Sequence, residues 1–223
     1  AQKQVLIFLH IPKAGGTTLH KILQRQYDHG SIYSIKGAGL RESIHEVQEL
    51  TESSRARLRL LKGHMPFGLH EFPPNPSTYI TILRKLIDRG ISLYYELRTT
   101  DHFAHDEVTH EKMDLRSYVQ NGVARLVDNG QTRLLSGVGA DLEFGSCSQA
   151  ELDLAKQNLR THFSVAGLLE QYDETLVLLR RRFGWGIQFY VQRNVTRGHP
   201  HRLEPPREVA ELVRRKNELD LEL

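Results

Sequence analysis

Residues Val5–Leu19, VLIFLHIPKAGGTTL, restrict the folds open to this chain more than any other segment. Val5–Leu9 is an uninterrupted apolar run, which reads as a strand buried on both faces and therefore as part of a parallel sheet. It runs into the Gly/Pro-rich segment His10–Thr18, and a helix follows at once with Leu19, Ile22 and Leu23 on one face. Gly15 and Gly16 allow close backbone approach to an anion, and the amides and dipole at the helix start favour a phosphate there. Lys13 adds a mobile charge, and Thr17 and Thr18 add hydroxyl donors. Lys13, Ala14, Gly15, Gly16, Thr17 and Thr18 are thus the candidate phosphate cradle. The triphosphate loop GxxxxGK[ST] places its lysine after the glycines; here Lys13 precedes them. The competing structural reading is a Gly-rich turn of an ordinary α/β protein.

The remaining pattern is consistent with that start. Further strands are expected at Ser31–Ile35, Leu58–Leu61, Tyr79–Leu83 and Phe163–Leu168. Helices are expected at Leu40–Leu50, Asp88–Arg98, Leu115–Leu126, Gln149–Leu159, Tyr172–Phe183 and Arg207–Leu219. Alternation of this kind predicts an α/β protein: one domain over residues 1–223 with a mostly parallel central sheet flanked by helices and a P-loop-like strand-loop-helix.

Composition enters as a filter. Hydrophobic residues at 39% and charged residues at 26% exclude a disordered chain. A single cysteine, Cys147, excludes an intrachain disulfide framework and favours a reducing compartment, so a cytoplasmic location is expected. The chain does not begin with Met, which keeps a lumenal domain of a trimmed, membrane-anchored enzyme as the alternative. No apolar run approaches the ~20 residues of a membrane span. The net charge is only +3, but Arg180–Lys216 holds ten Lys/Arg against Glu204, Glu208 and Glu211, which suits a polyanionic partner or else a solvated basic face. Nucleic acid is not the expected partner, because aromatic residues are not interleaved with the basic ones. His102, His105 and His110 accompany Asp101 and Asp106, but their spacing fits no zinc pattern, so no metal is expected.

The order of PKAGGTT resembles the 5′-phosphosulfate loop of sulfotransferases that use 3′-phosphoadenosine-5′-phosphosulfate (PAPS), in the version found in the heparan sulfate 2-O-sulfotransferase family. A second segment, Tyr79–Tyr95 (YITILRKLIDRGISLYY), resembles that family's RDPxxRxxSxYY element at Arg84, Arg89, Ser92, Tyr94 and Tyr95. The resemblance implies that Arg84 and Ser92 bind the 3′-phosphate, a role that a guanidinium fork and a hydroxyl can fill. Lys85 and Leu86 stand where the family has Asp and Pro, which alters the turn and removes a partner for a neighbouring Arg.

Leu60–His70 (LLKGHMPFGLH) places Gly63-His64 after a strand end, where ligands of parallel sheets bind. It resembles the family's HGH element, whose second His is the general base; His64 takes that position and Lys62 takes the position of the first His. An imidazole titrating near ~6.5 suits deprotonation of an alcohol, and Lys13 suits neutralisation of the departing phosphate. Asp128–Gly137 (DNGQTRLLSG) resembles the family's NxQTRxLxG element, so Gln131 and Arg133, with Lys62, are further candidates for nucleotide or acceptor contact; for Arg133 the alternative is an Arg on a buried helix end that pairs with a carboxylate. The implied reaction is sulfuryl transfer from PAPS to a hydroxyl, with a carbohydrate as acceptor, leaving 3′-phosphoadenosine-5′-phosphate (PAP). The alternatives are a P-loop-type nucleotide kinase or NTPase, for which no apolar strand ending in a Mg²⁺-binding Asp is evident, and a non-catalytic anion-binding module. A degenerate sulfotransferase that binds PAPS weakly is a further one.

Overall fold

All five residues of β1 (Val5–Leu9) are buried, as expected of apolar side chains covered on both faces of a sheet. In the computed structural model β1 is the centre of a five-stranded sheet; the structure describes residues 4–36, 40–99, 113–122, 124–138, 141–186, 190 and 205–223. These fall into two compact units, Ala1–Leu83 with Gln157–Arg193, and Arg84–Lys156 with Asn194–Leu223.

The first unit holds the whole sheet. After β1 come α1 (Gly16–Gln24), β2 (Ile32–Ile35), α2 (Leu40–Gln48), α3 (Glu52–Arg57), β3 (Leu60–Gly63) and β4 (Ser77–Leu83). The strand order is β2-β3-β1-β4-β5, with β5 at Phe163–Leu168, and every pairing is parallel. Leu9 pairs with Gly63 on one side of β1, and Phe8 pairs with Ile80 on the other. The chain therefore passes from one side of β1 to the other between β3 and β4, a switch point of the kind that opens a crevice at strand carboxyl ends. The Thr81 hydroxyl donates to the Leu9 carbonyl at 2.9 Å and ties β4 to the last residue of β1. Beyond β5, α8 (Tyr172–Phe183) folds back onto that strand, where Gly167 leaves room for Thr175.

The second unit is helical in its described residues. It contains α4 (Leu86–Thr99), α5 (Leu115–Asn121), α6 (Gly130–Ser136), the first part of α7 (Gln149–His162), α9 (Arg207–Lys216) and α10 (Glu218–Glu222). Leu86, Leu93, Tyr94 and Leu97 of α4 pack with Tyr118 and Val119 of α5 and Val209 and Val213 of α9 to form its core.

The expected α/β architecture with a parallel sheet is present. Differences lie at the ends of elements. The helix expected over Leu115–Leu126 stops at Asn121, because Gly122 takes the left-handed conformation that closes helices. The last helix breaks at Asn217, which donates through its amide to the carbonyls of Val127 and Val213. The short helix α3 was not expected, and no bounds were expected for α6. The segment with His102, His105 and His110, and most of 193–206, lie outside the described residues.

Candidate active site at the carboxyl end of the sheet

The loop after β1 is built from two left-handed residues, Lys13 with φ 66° and Gly15 with φ 74°. For glycine this costs little; for lysine it is a strained conformation of the sort that collects at functional sites. The Ala14 amide closes the loop onto the Ile11 carbonyl at 3.3 Å, so this residue, expected among the phosphate contacts, serves the loop's own turn. Gly15 then caps α1, and as a glycine it offers no side chain to the first helical amides; no acidic residue occupies the first turn either. Gly15 is also a point of close approach, since a Cβ there would meet Leu169 Cδ1 at 2.5 Å and Tyr172 Cε2 at 3.5 Å.

The second unit shows the same kind of helix start in a closed form. There Asn129 is the left-handed cap of α6, and the Asp220 carboxylate accepts from the Gln131 and Thr132 amides at 3.1 and 2.7 Å. An internal carboxylate thus satisfies the positive end of α6.

His64 follows β3 on the neighbouring strand. Gly63 has φ 149°, and any Cβ there would collide with the Ile35 carbonyl, so glycine alone lets β3 end in contact with β2 and turn His64 inward. The half-buried His64 ring stacks on that of His10, with centroids 4.1 Å apart. His64 Nδ1 lies 3.0 Å from the His10 carbonyl oxygen. A carbonyl only accepts, so Nδ1 carries the proton and the lone pair of the neutral ring is on Nε2.

Lys62, expected at the acceptor, is instead 4% exposed and points toward His20 of α1, with Nζ 3.1 Å from His20 Nδ1. Burial, followed by the charge of Lys21, lowers its pKa from the ordinary lysine range. His20 Nε2 lies 3.0 Å from His10 Nδ1. Sequence reasoning passed over His10 and His20. Two signals mark them: His10 stands directly at a strand end before the loop, and His20 follows Gly16 by one helical turn on the same face.

In the second unit Arg84 follows β4 and is half-buried, and its amide donates to Gln131 Oε1 at 2.9 Å. Gln131 is 3% exposed, so it holds the Arg84 backbone; this corrects its expected role as a ligand contact. Ser92, in the second turn of α4, is 5% exposed. Arg133 follows the structural alternative, pairing with a carboxylate: it is 1% exposed, its guanidinium pairs with Asp128, and it donates to the carbonyls of Asp128, Leu142 and Glu143. A guanidinium engaged in this way holds a loop and is not offered to substrate.

No protein-family model and no curated protein matches this chain. Among solved structures a match is the mouse sulfotransferase SULT7A1 complexed with PAP, at 14% identity and a TM-score of 0.47. The match covers 85% of this chain and 61% of the mouse chain. No helix among the described residues is long and apolar enough to cross a membrane.

Proposed function

We propose that this chain is a sulfotransferase that moves a sulfuryl group from PAPS to an acceptor hydroxyl, with a carbohydrate as the acceptor class that the sequence resemblance implies. What supports the reading is the placement, at the carboxyl end of one parallel sheet, of a loop with two left-handed residues before a helix start and of a histidine whose basic nitrogen is Nε2. A phosphosulfate suits this loop: α1 supplies a positive helix end without an acidic first turn, and Lys13 supplies a cation.

When bound, PAPS supplies a sulfuryl group on a phosphate leaving group. Lys13, Gly15, Gly16, Thr17 and Thr18 hold the 5′ end, and Lys13 neutralises charge that grows on the phosphate oxygens. His64 Nε2 takes the proton from the acceptor hydroxyl as its oxygen bonds to sulfur. The sequence resemblance, and not a geometry joining the two units, assigns the 3′-phosphate to Arg84 and Ser92; within the second unit the Arg84 amide donates to Gln131.

Thermal-shift titration with PAP, AMP, and ATP with Mg²⁺ tests this directly, because a ligand that binds only the folded state stabilises it by RT ln(1 + [L]/Kd). PAP is expected to raise the melting temperature more than AMP at equal concentration, and radiolabelled sulfate is expected to pass from PAPS to a sulfatable glycan. Equal effects of PAP and AMP would refute the reading, and a preference for ATP with Mg²⁺ would point to a kinase.

A further inference from the structure

Three histidines and a lysine meet at the carboxyl ends of β1 and β3, and the reaction proposed above uses only His64 among them. Lys62 Nζ contacts His20 Nδ1 at 3.1 Å, and His20 Nε2 contacts His10 Nδ1 at 3.0 Å. An ammonium has donors and no acceptor. His20 Nδ1 therefore accepts, its proton is on Nε2, and that N–H donates to His10 Nδ1. It follows that the neutral His10 ring carries its own proton on Nε2, the atom that lies over Gly16, where any Cβ would collide with the imidazole. Both rings are held neutral. Burial first, and then His64, His20, Lys13 and Lys62, keep His10 well below the usual imidazole range, while burial and then Lys62, His64 and Lys21 push His20 down to about 3.

The far end of this chain is His64. The His10 carbonyl decides which nitrogen of His64 is protonated, and the His10 ring, stacked at 4.1 Å with an interplanar angle of 26°, decides the plane in which the other nitrogen points. Phe8 supports the His10 ring from within β1, with centroids 5.4 Å apart and planes 17° apart. Without its partner on His20, the His10 ring can turn over or move its proton between nitrogens, and the surface that orients His64 is lost.

We propose that Lys62, His20 and His10 form a one-directional hydrogen-bond chain that makes His10 the positioning residue of His64, fixing the ring orientation with which His64 takes up the acceptor's proton. The proposal rests on the sulfotransferase reading for its catalytic consequence but not for the hydrogen-bond chain itself.

His20 is the residue to change, because it touches neither the donor nor the acceptor in that reading. His20→Leu keeps an apolar side chain and removes both hydrogen bonds. His20→Gln can accept from Lys62 through Oε1 and donate to His10 through Nε2, which preserves the direction. Relative to parent, His20→Leu is expected to lower kcat roughly 10- to 100-fold, the usual effect of losing such a supporting partner. The KM for PAPS should change little, and the ascending limb of kcat/KM against pH should move; His20→Gln should recover most of the rate. Long-range ¹H–¹⁵N spectra of histidine-labelled protein give a readout independent of turnover. Parent should show His64 protonated on Nδ1 and His10 and His20 on Nε2, and His20→Leu should lose the single-tautomer signal of His10 while His20→Gln keeps it. Protonation of His10 on Nδ1 in parent, or Leu and Gln variants alike in rate and spectrum, would overturn the proposal. Should parent transfer no sulfuryl group while the tautomers are as stated, the chain stands and the functional reading falls.

Discussion

Lys13 has to satisfy two demands at one position, a left-handed backbone and a cation. Its φ of 66° costs on the order of 1 kcal/mol or more in a residue with a Cβ, whereas glycine adopts it without strain. Lys13→Gly and Lys13→Ala both remove the charge, but only the first relieves the backbone. Both are expected to reduce turnover by roughly two to three orders of magnitude, with a smaller loss of PAP affinity. Lys13→Gly should melt at the higher temperature of the two, and parental activity in either would remove Lys13 from the mechanism. At His64 the informative change is Asn, whose amide can still donate to the His10 carbonyl but has no basic nitrogen. His64→Asn is expected to lower kcat by roughly 10²–10⁴-fold while PAP binding, followed by calorimetry, stays near parental. A variant with unchanged rate and pH profile would make His64 structural.

At the scale of elements, two helices that start from left-handed caps differ in what fills them. Asp220 of α10 closes the start of α6 and lies 3.7 Å from the buried Arg89 guanidinium, which also donates to the Leu126 carbonyl. Asn129 and Asn217 lock the same two elements together: the Asn129 amide donates to Asn217 Oδ1 at 2.9 Å, and the Leu219 amide donates to Asn129 Oδ1 at 3.0 Å. From α6 the Gln131 side chain reaches the Arg84 amide, so α10 supports Arg84 through α6. Gln131→Leu removes one backbone hydrogen bond, worth about 1 kcal/mol, and is expected to weaken the preference for PAP over AMP about five-fold. Asp220→Ala should cost much more in stability, because it leaves a buried guanidinium and two helix-start amides without their carboxylate; about 3–5 kcal/mol is typical of breaking a buried pair. Chemical denaturation measures the second, and paired PAP and AMP titrations measure the first. These contacts also explain why the bounds of α6 could not be read. Its residues Gln131, Thr132, Arg133 and Ser136 are polar yet buried, so apolar periodicity carries no trace of the helix.

For the molecule as a whole, the histidine cluster ties stability to pH. His10 and His20 are held neutral in the fold, chiefly by burial, but protonate near ~6.5 when the chain unfolds. Below that pH the unfolded chain binds protons that the folded chain does not, so stability falls on acidification. The window for His20 runs from ~6.5 down to about 3, its value in the fold. Each such group contributes up to about 1.4 kcal/mol per pH unit. The melting temperature is expected to drop between pH 7 and pH 5, and His20→Gln should flatten that slope; a slope unchanged by the substitution would contradict the assignment. The basic stretch 180–216 also changes meaning at this scale. Arg180, Arg181 and Arg182 are exposed on α8 of the first unit, whereas Arg214 and Arg215 are exposed on α9 of the second, and Lys216 lies 4.9 Å from the Phe144 ring centroid. Continuity in sequence did not make it one segment of one unit.

What could be read from the sequence followed from local rules. The apolar run of β1, the two glycines and the helix after them dictate a strand, a tight loop and a helix start whatever surrounds them, and Gly63-His64 marks a strand end for the same reason. The roles of Lys62 and Gln131 depended on partners far away in the chain. Lys62 meets His20 across 42 positions, and Gln131 meets Arg84 across 47. Arg133 is buried against Asp128 and the Leu142 and Glu143 carbonyls, a closure that no periodicity announces. A polar side chain reads the same in sequence whether it faces a ligand or the interior; only tertiary structure decides which acceptors are within hydrogen-bonding reach, and so whether it binds a substrate or holds the scaffold.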